Sequence, residues 1–189
     1  MKNIAFVFAL LASTAALACP VDRICVGNRI IDGSDDVGSV VEVFSNGQAK
    51  VSLDAYSGYY FRSVKNLGKG IDCLDGICMK DRAMDGSEHV GTVVEVFSNG
   101  KAKLSLDAYS GYYVRRVANL GKGFRCIEDV CVDTRIIDSS NNVGTIVELF
   151  DNGKAKVSLD AYSGYYVRSL EEMGIELKCE LRKDCACKN

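Results

Sequence analysis

The chain has 189 residues, of which 25% are charged and 48% hydrophobic, with a formal net charge of −2. So even a balance provides no electrostatic footprint for nucleic acid or an anionic lipid surface, and the apolar fraction suits packed cores better than disorder. A single histidine, His89, argues against a His/Cys metal site, and neither Gly-x-Gly-x-x-Gly nor a P-loop spacing is present, so no metal and no cofactor is expected.

Residues 1–18 read as a secretory signal peptide. Lys2 supplies the positive charge, Ile4 to Ala12 the short apolar run, and Ala16-Leu17-Ala18 the small-residue exit. The run is too short to span a bilayer and no second one follows, so no membrane span is expected. Cleavage would leave Cys19 at the new N-terminus, where a lipid anchor is an option. It is not favoured, because Ala16 stands where a lipoprotein box carries Leu, and Leu17 comes one place late. The nine cysteines behind an export signal imply an oxidising compartment, periplasmic or extracellular, and structural disulfides.

Internal repetition dominates the rest. The stretch 25–73 recurs at 78–126 and again at 131–179, a period of 53 residues without a gap, followed by a cysteine-containing tail at 180–189. Val-Glu-Val-Phe-Ser-Asn-Gly at 41–47 returns at 94–100, and as Val-Glu-Leu-Phe-Asp-Asn-Gly at 147–153. Ser-Leu-Asp-Ala-Tyr-Ser-Gly-Tyr-Tyr stands unchanged at 52–60, 105–113 and 158–166.

Within a repeat the first strand is expected around Arg29 to Ile31. A second runs from Val37 to Phe44, β-branched and apolar, and Asn46-Gly47 turns it into a third from Ala49 to Leu53. A two-residue Asn-Gly loop would pair Glu42 with Val51 and turn Glu42 onto the apolar face. A three-residue loop, Ser45-Asn46-Gly47 with Gly left-handed, pairs Glu42 with Lys50 instead and is preferred. It places Val41, Val43, Ala49, Val51 and Leu53 on one face and predicts outward pairs Glu95 with Lys103 and Glu148 with Lys156. A fourth strand is expected around Tyr59 to Ser63, then a turn near Asn66 to Gly70 and a last strand reaching Cys73. Five short strands in about 50 residues, with no helix of useful length, describe a small, partly open barrel.

The pattern resembles the SH3-like superfamily of small β-barrels, particularly its Tudor and KOW-type members. The resemblance is carried by Val-Gly-Ser-Val-Val-Glu-Val at 37–43, the Asn-Gly hairpin, Lys-Val-Ser-Leu-Asp at 50–54 and the Tyr-Tyr-x-Arg strand at 59–62. It spans essentially the whole of each repeat and implies an all-β protein of three tandem five-stranded SH3-like barrels joined by short disulfide-bearing linkers.

Each repeat boundary carries a close cysteine pair: Cys19/Cys25, Cys73/Cys78, Cys126/Cys131 and Cys179/Cys185, with Cys187 left over as a free or intermolecular thiol. Two pairings compete. Each boundary pair bonds to itself, with Leu74-Asp75-Gly76-Ile77 as a tight turn, or Cys25, Cys78 and Cys131 bond Cys73, Cys126 and Cys179 across whole repeats. The second is feasible because SH3-like barrels bring their first and last strands together. The first is favoured, since Cys19 and Cys185 keep the boundary spacing with no repeat to serve.

The tyrosine-rich segments are the candidate ligand-binding sites: Tyr56, Tyr59, Tyr60 and Arg62, then Tyr109, Tyr112, Tyr113 and Arg115, then Tyr162, Tyr165, Tyr166 and Arg168. Tyrosine supplies rigid amphipathic contact area, and a neighbouring Arg suits it to peptide or glycan recognition. Tyr59 and Tyr60 are adjacent on a strand, so one faces in and one out; the competing reading makes the inward one core and the others a cap. Phe44, Phe97 and Phe150 fall on the outer face, as ligand contacts or, preferably, as packing against a neighbouring repeat. The acids present in every copy, Asp32, Glu42, Asp54 and their equivalents, each have a structural task, and no catalytic residue is named. The expectation is a non-enzymatic exported binding protein with three repeated faces for a protein, a peptide or a cell-wall glycan. The rivals are a structural envelope component, with Cys187 linking chains, and an enzyme inhibitor.

Overall fold

A computed structural model describes residues 23–175. The expected signal peptide and its cleavage site, the lipid-anchor option at Cys19, Cys179, Cys185, Cys187 and the tail at 180–189 lie outside the described residues. The chain is all-β and antiparallel, with short 3₁₀ turns as its sole helical elements among the described residues. No helix of the described residues is long and apolar enough to cross a membrane. Two compact units part between Lys69 and Gly70.

The first unit contains β1 (Arg29–Ile31), β2 (Val37–Val43), β3 (Gln48–Leu53), β4 (Tyr60–Ser63) and the start of β5 (Gly68–Ile71). Neighbouring pairs run β5-β1-β2-β3-β4, so the first and last strands of the repeat are adjacent, through Ile30 with Lys69 and Ile31 with Gly68. Among the described residues no pairing joins β4 to β5, and the ladder stays open. The core beneath it is built from Ile24, Ile30, Val40, Ala49, Val51 and Leu53, closed by Val64 and Leu67 around the 3₁₀ turn.

The β2–β3 hairpin has the three-residue loop that the apolar alternation demands. Glu42 pairs with Lys50, the Phe44 amide donates to Gln48, and Gly47 sits at φ +80°. One expectation is corrected here. Val41 is not on the core face, because the register shifts between Val40 and Glu42, leaving Val41 as a β-bulge. Val40 pairs with Val51 and is buried, whereas Val41 is only half-buried. A bulge sets two residues against one and breaks the strict period of two. The same shift recurs at Val94 and Val147.

The second unit repeats this plan twice. It opens with β6 (Cys73–Leu74) and β7 (Ile77–Cys78), then β8 (Arg82–Met84), β9 (Val90–Phe97), β10 (Lys101–Leu106), β11 (Tyr113–Arg116) and β12 (Gly121–Phe124). A second cysteine hairpin, β13 (Cys126–Ile127) and β14 (Val130–Cys131), leads to β15 (Arg135–Ile137), β16 (Val143–Phe150), β17 (Lys154–Leu159), β18 (Tyr166–Ser169) and β19 (Gly174–Ile175).

Cys73 bonds Cys78 and Cys126 bonds Cys131, each pair facing across its hairpin at a Cα separation of 4.0 Å. Asp75 and Gly76 both take positive φ, as a two-residue hairpin turn requires. The boundary pairing therefore holds at both described junctions and the whole-repeat pairing does not. Cys25 is also in a disulfide. These hairpins are more than linkers. Ile77 is buried in the core of the second repeat, and Ile127 and Val130 pack on that of the third, so each staple lids the repeat that follows it.

Within the second unit β12 serves both repeat 2 and repeat 3. Its first half pairs with β8 (Gly121 with Met84, Lys122 with Ala83), its second half with β16 (Gly123 with Phe150, Phe124 with Leu149). Phe150 extends from this shared ladder into a small cluster with Met84, Val90 and Val167. Phe97 and Phe150 are fully buried, and Phe150 has the neighbouring-repeat role preferred for it from sequence. Phe44 is half-buried and meets Phe61 at 5.9 Å between ring centroids.

Candidate functional site

Each candidate tyrosine has a definite position. Tyr60, on β4, lies partly buried against the first core, and its hydroxyl donates to the Ser57 carbonyl at 3.4 Å. Tyr113 and Tyr166 repeat both features. Tyr56 leans edge-on against Tyr60, 6.1 Å between centroids, and stays exposed. The outward partner is Tyr59, 60% exposed, with Tyr112 and Tyr165 each at 62%. One of the two adjacent tyrosines thus faces in and the other out.

The outward tyrosine is held from one side by the hairpin. Lys50, Lys103 and Lys156 place their Nζ 4.6, 4.6 and 4.8 Å from the ring centroids of Tyr59, Tyr112 and Tyr165. The same ammonium reaches Glu42, Glu95 or Glu148, at 2.9, 3.3 and 3.1 Å. A cation over a ring at an exposed site contributes about 0.5–1 kcal/mol. Its larger effect is to fix where the ring stands.

The three arginines have structural partners. Arg62 Nε donates to Asp32 Oδ2 at 2.7 Å, its NH1 donates to the Phe61 carbonyl, and its guanidinium lies 5.4 Å from the Tyr60 ring centroid. Arg115 with Asp85 and Arg168 with Asp138 repeat the arrangement at 2.7 and 3.0 Å. The aspartate is buried and its other oxygen accepts two loop amides, Ser34 and Asp36 in the first repeat. Burial pushes the Asp32 carboxyl up, but the Arg62 hydrogen bond and the two amides outweigh it and hold it below the ordinary aspartate range. For Asp138 the Asn142 amide leads, opposed by burial and joined by the Asn142 side chain, Arg168 and Ser140, and the carboxyl falls to about 2.

Asp54, Asp107 and Asp160, just before the tyrosine loop, are each gripped by both guanidinium nitrogens of Arg29, Arg82 and Arg135. The reading of the sequence missed these arginines. Their signal was an Arg and an Asp kept 25 residues apart in every copy, which the strand pairing turns into one contact.

In the second unit a cavity of about 440 Å³ lies where repeat 2 meets repeat 3. His89 and Asp107 line one side, Tyr165, Tyr166 and Lys156 the other. His89 Nε2 meets the Tyr109 hydroxyl at 3.2 Å, the rings standing edge to face. Lys156 Nζ lies 3.1 Å from both Asp107 and Glu148. This groove combines an exposed aromatic face with converging donors and acceptors, a surface suited to holding a polar ligand with an apolar side. No group of three or more potential metal ligands occurs among the described residues. The chain matches no protein-family model, and no curated protein matches it.

Proposed function

We propose that this is an exported, non-enzymatic binding protein, periplasmic or secreted, whose three repeats each offer a tyrosine face to a repetitive partner in the cell envelope: a glycan strand, a peptide or a protein. The observation that carries the reading is the outward Tyr59, Tyr112 and Tyr165, each set over a lysine and left about three-fifths exposed in every repeat. Tyrosine supplies a large, rigid, amphipathic contact surface, and aromatic residues are enriched where proteins bind. Sites repeated along one chain gain through effective concentration, so individually weak contacts suffice. The leader-like N-terminus and the bonded cysteines support export. The strand order β5-β1-β2-β3-β4, with first and last strands adjacent, supports an SH3-like barrel as the module. The acids common to all repeats have basic partners and are assigned to structure.

The test is to replace Tyr59, Tyr112 and Tyr165 together by Ala. All three are exposed, so circular dichroism and thermal melting stay close to the parent. Co-sedimentation with purified cell wall, or retention on immobilised envelope peptides and proteins, is expected to fall modestly for one replacement and about a hundredfold for three. Retention unchanged in the triple variant on every material that holds the parent would remove the tyrosine faces from the account.

A further inference from the structure

The junction inside the second unit is a plug and a socket, and each half recurs at a repeat that has no neighbouring repeat on that side among the described residues. In the socket, Met84 and Val90 of repeat 2 are buried under Phe150 and Val167 of repeat 3. Around it, β12 pairs with β16, Arg82 takes Glu148 at 2.9 Å as well as Asp107, and Lys156 reaches Asp107 at 3.1 Å.

One period later, the residues corresponding to the socket are Ile137 and Val143, and they are 42% and 43% exposed. With Ile175, 40% exposed, they line an apolar cavity of about 260 Å³. Two periods earlier than the plug stand Phe44 and Phe61, in mutual contact, with Phe61 58% exposed. The charges match as well. Arg135 grips Asp160 as Arg82 grips Asp107, and Glu42 occupies the place of Glu148. Lys50 occupies that of Lys156.

We propose that the third repeat receives Phe44 and Phe61 of a second copy of this chain, seated over Ile137, Val143 and Ile175 as Phe150 and Val167 seat over repeat 2. Arg135 then takes Glu42 of the second copy, and Lys50 of that copy approaches Asp160. The plug and the socket are different surfaces, so the contact is heterologous: every copy that joins brings a fresh socket, and assembly proceeds to a ring or a fibre. Continuity with a junction already formed in this chain and charge complementarity favour a second copy as the occupant, and the assembly would multiply whatever faces the repeats present.

Sedimentation velocity of the oxidised protein, from micromolar to near-millimolar concentration, tests this, with non-reducing denaturing gels to set apart disulfide-linked chains. The parent is expected to grow with concentration. Phe44→Asp and Val143→Asp are each expected to stay monomeric, weakening association by about thirtyfold or more. Mixed in equal amounts they form a dimer and nothing larger, since one supplies the intact socket and the other the intact plug. Should either variant fail to fold, Glu42→Arg replaces it: it blocks assembly, and Arg135→Glu in the partner copy restores it. A parent that is monomeric throughout overturns the proposal, as does growth indifferent to these substitutions or a mixture that forms no dimer. Growth seen only after residues beyond 175 are removed overturns it too, naming that segment as the occupant instead.

Discussion

At Asp32, Asp85 and Asp138 three loops hang on one side-chain type. Each carboxylate accepts two amides from its own loop and one guanidinium from the fourth strand of its repeat. In every case the hydrogen bonds prevail over burial and the carboxyl lies below its ordinary value, reaching about 2 at Asp138. A folded pKa below the unfolded one, about 3.9 for Asp, stabilises the fold above that unfolded value. The contribution disappears as pH falls through the folded value. Thermal melts are therefore expected to be flat from neutrality to the upper end of that window, then to drop steeply as pH is taken down to about 2. A melting temperature that declines evenly from neutral pH would mean that these carboxylates are not what holds the loops. The sequence made the acids and arginines visible one at a time. What it concealed was their pairing, because 30 residues separate Asp32 from Arg62 and only the strand order brings them together.

The hairpins were the most legible elements. Alternation on both strands, the Asn-Gly turn and the Glu42–Lys50 match select one register, and all three repeats adopt it. The bulge was not legible, since a run of valines reads the same whether or not one residue is squeezed out of the ladder. A second feature of the same strand explains an invariant of the repeat. A Cβ on Gly91 would lie 2.4 Å from the Ser105 carbonyl oxygen, and Gly38 and Gly144 are as tightly placed. Glycine is required there by the close approach of two backbones. Gly91→Ala is expected to force β9 from β10 and cost about 1–3 kcal/mol, seen as a lower urea midpoint. An unchanged midpoint would show that the strands have room to part.

At the largest scale, repeats 2 and 3 of the second unit are joined by a shared strand, β12. Phe150 sits over Met84 and Val90 with no exposure, so Phe150→Ala leaves a hole at the junction and is expected to cost about 3–5 kcal/mol. Because neighbouring repeats stabilise one another through such interfaces, the variant should also unfold over a broader or divided transition. A single sharp transition at the parent's midpoint would deny the junction that role.

Local chemistry was decided by the sequence alone: the threefold repeat, the β class and the hairpin register, whereas the choice between the two cysteine pairings fell to the structure. Each depends on residues a few positions apart, where periodicity and turn geometry leave little choice. Tertiary structure decided the remainder. It set Tyr60 inward and Tyr59 out over a lysine, tied Arg29 to Asp54, and turned Phe150 from an outer-face residue into the centre of a junction. Those outcomes follow from which strands lie side by side, and adjacency of distant segments is written in no local pattern.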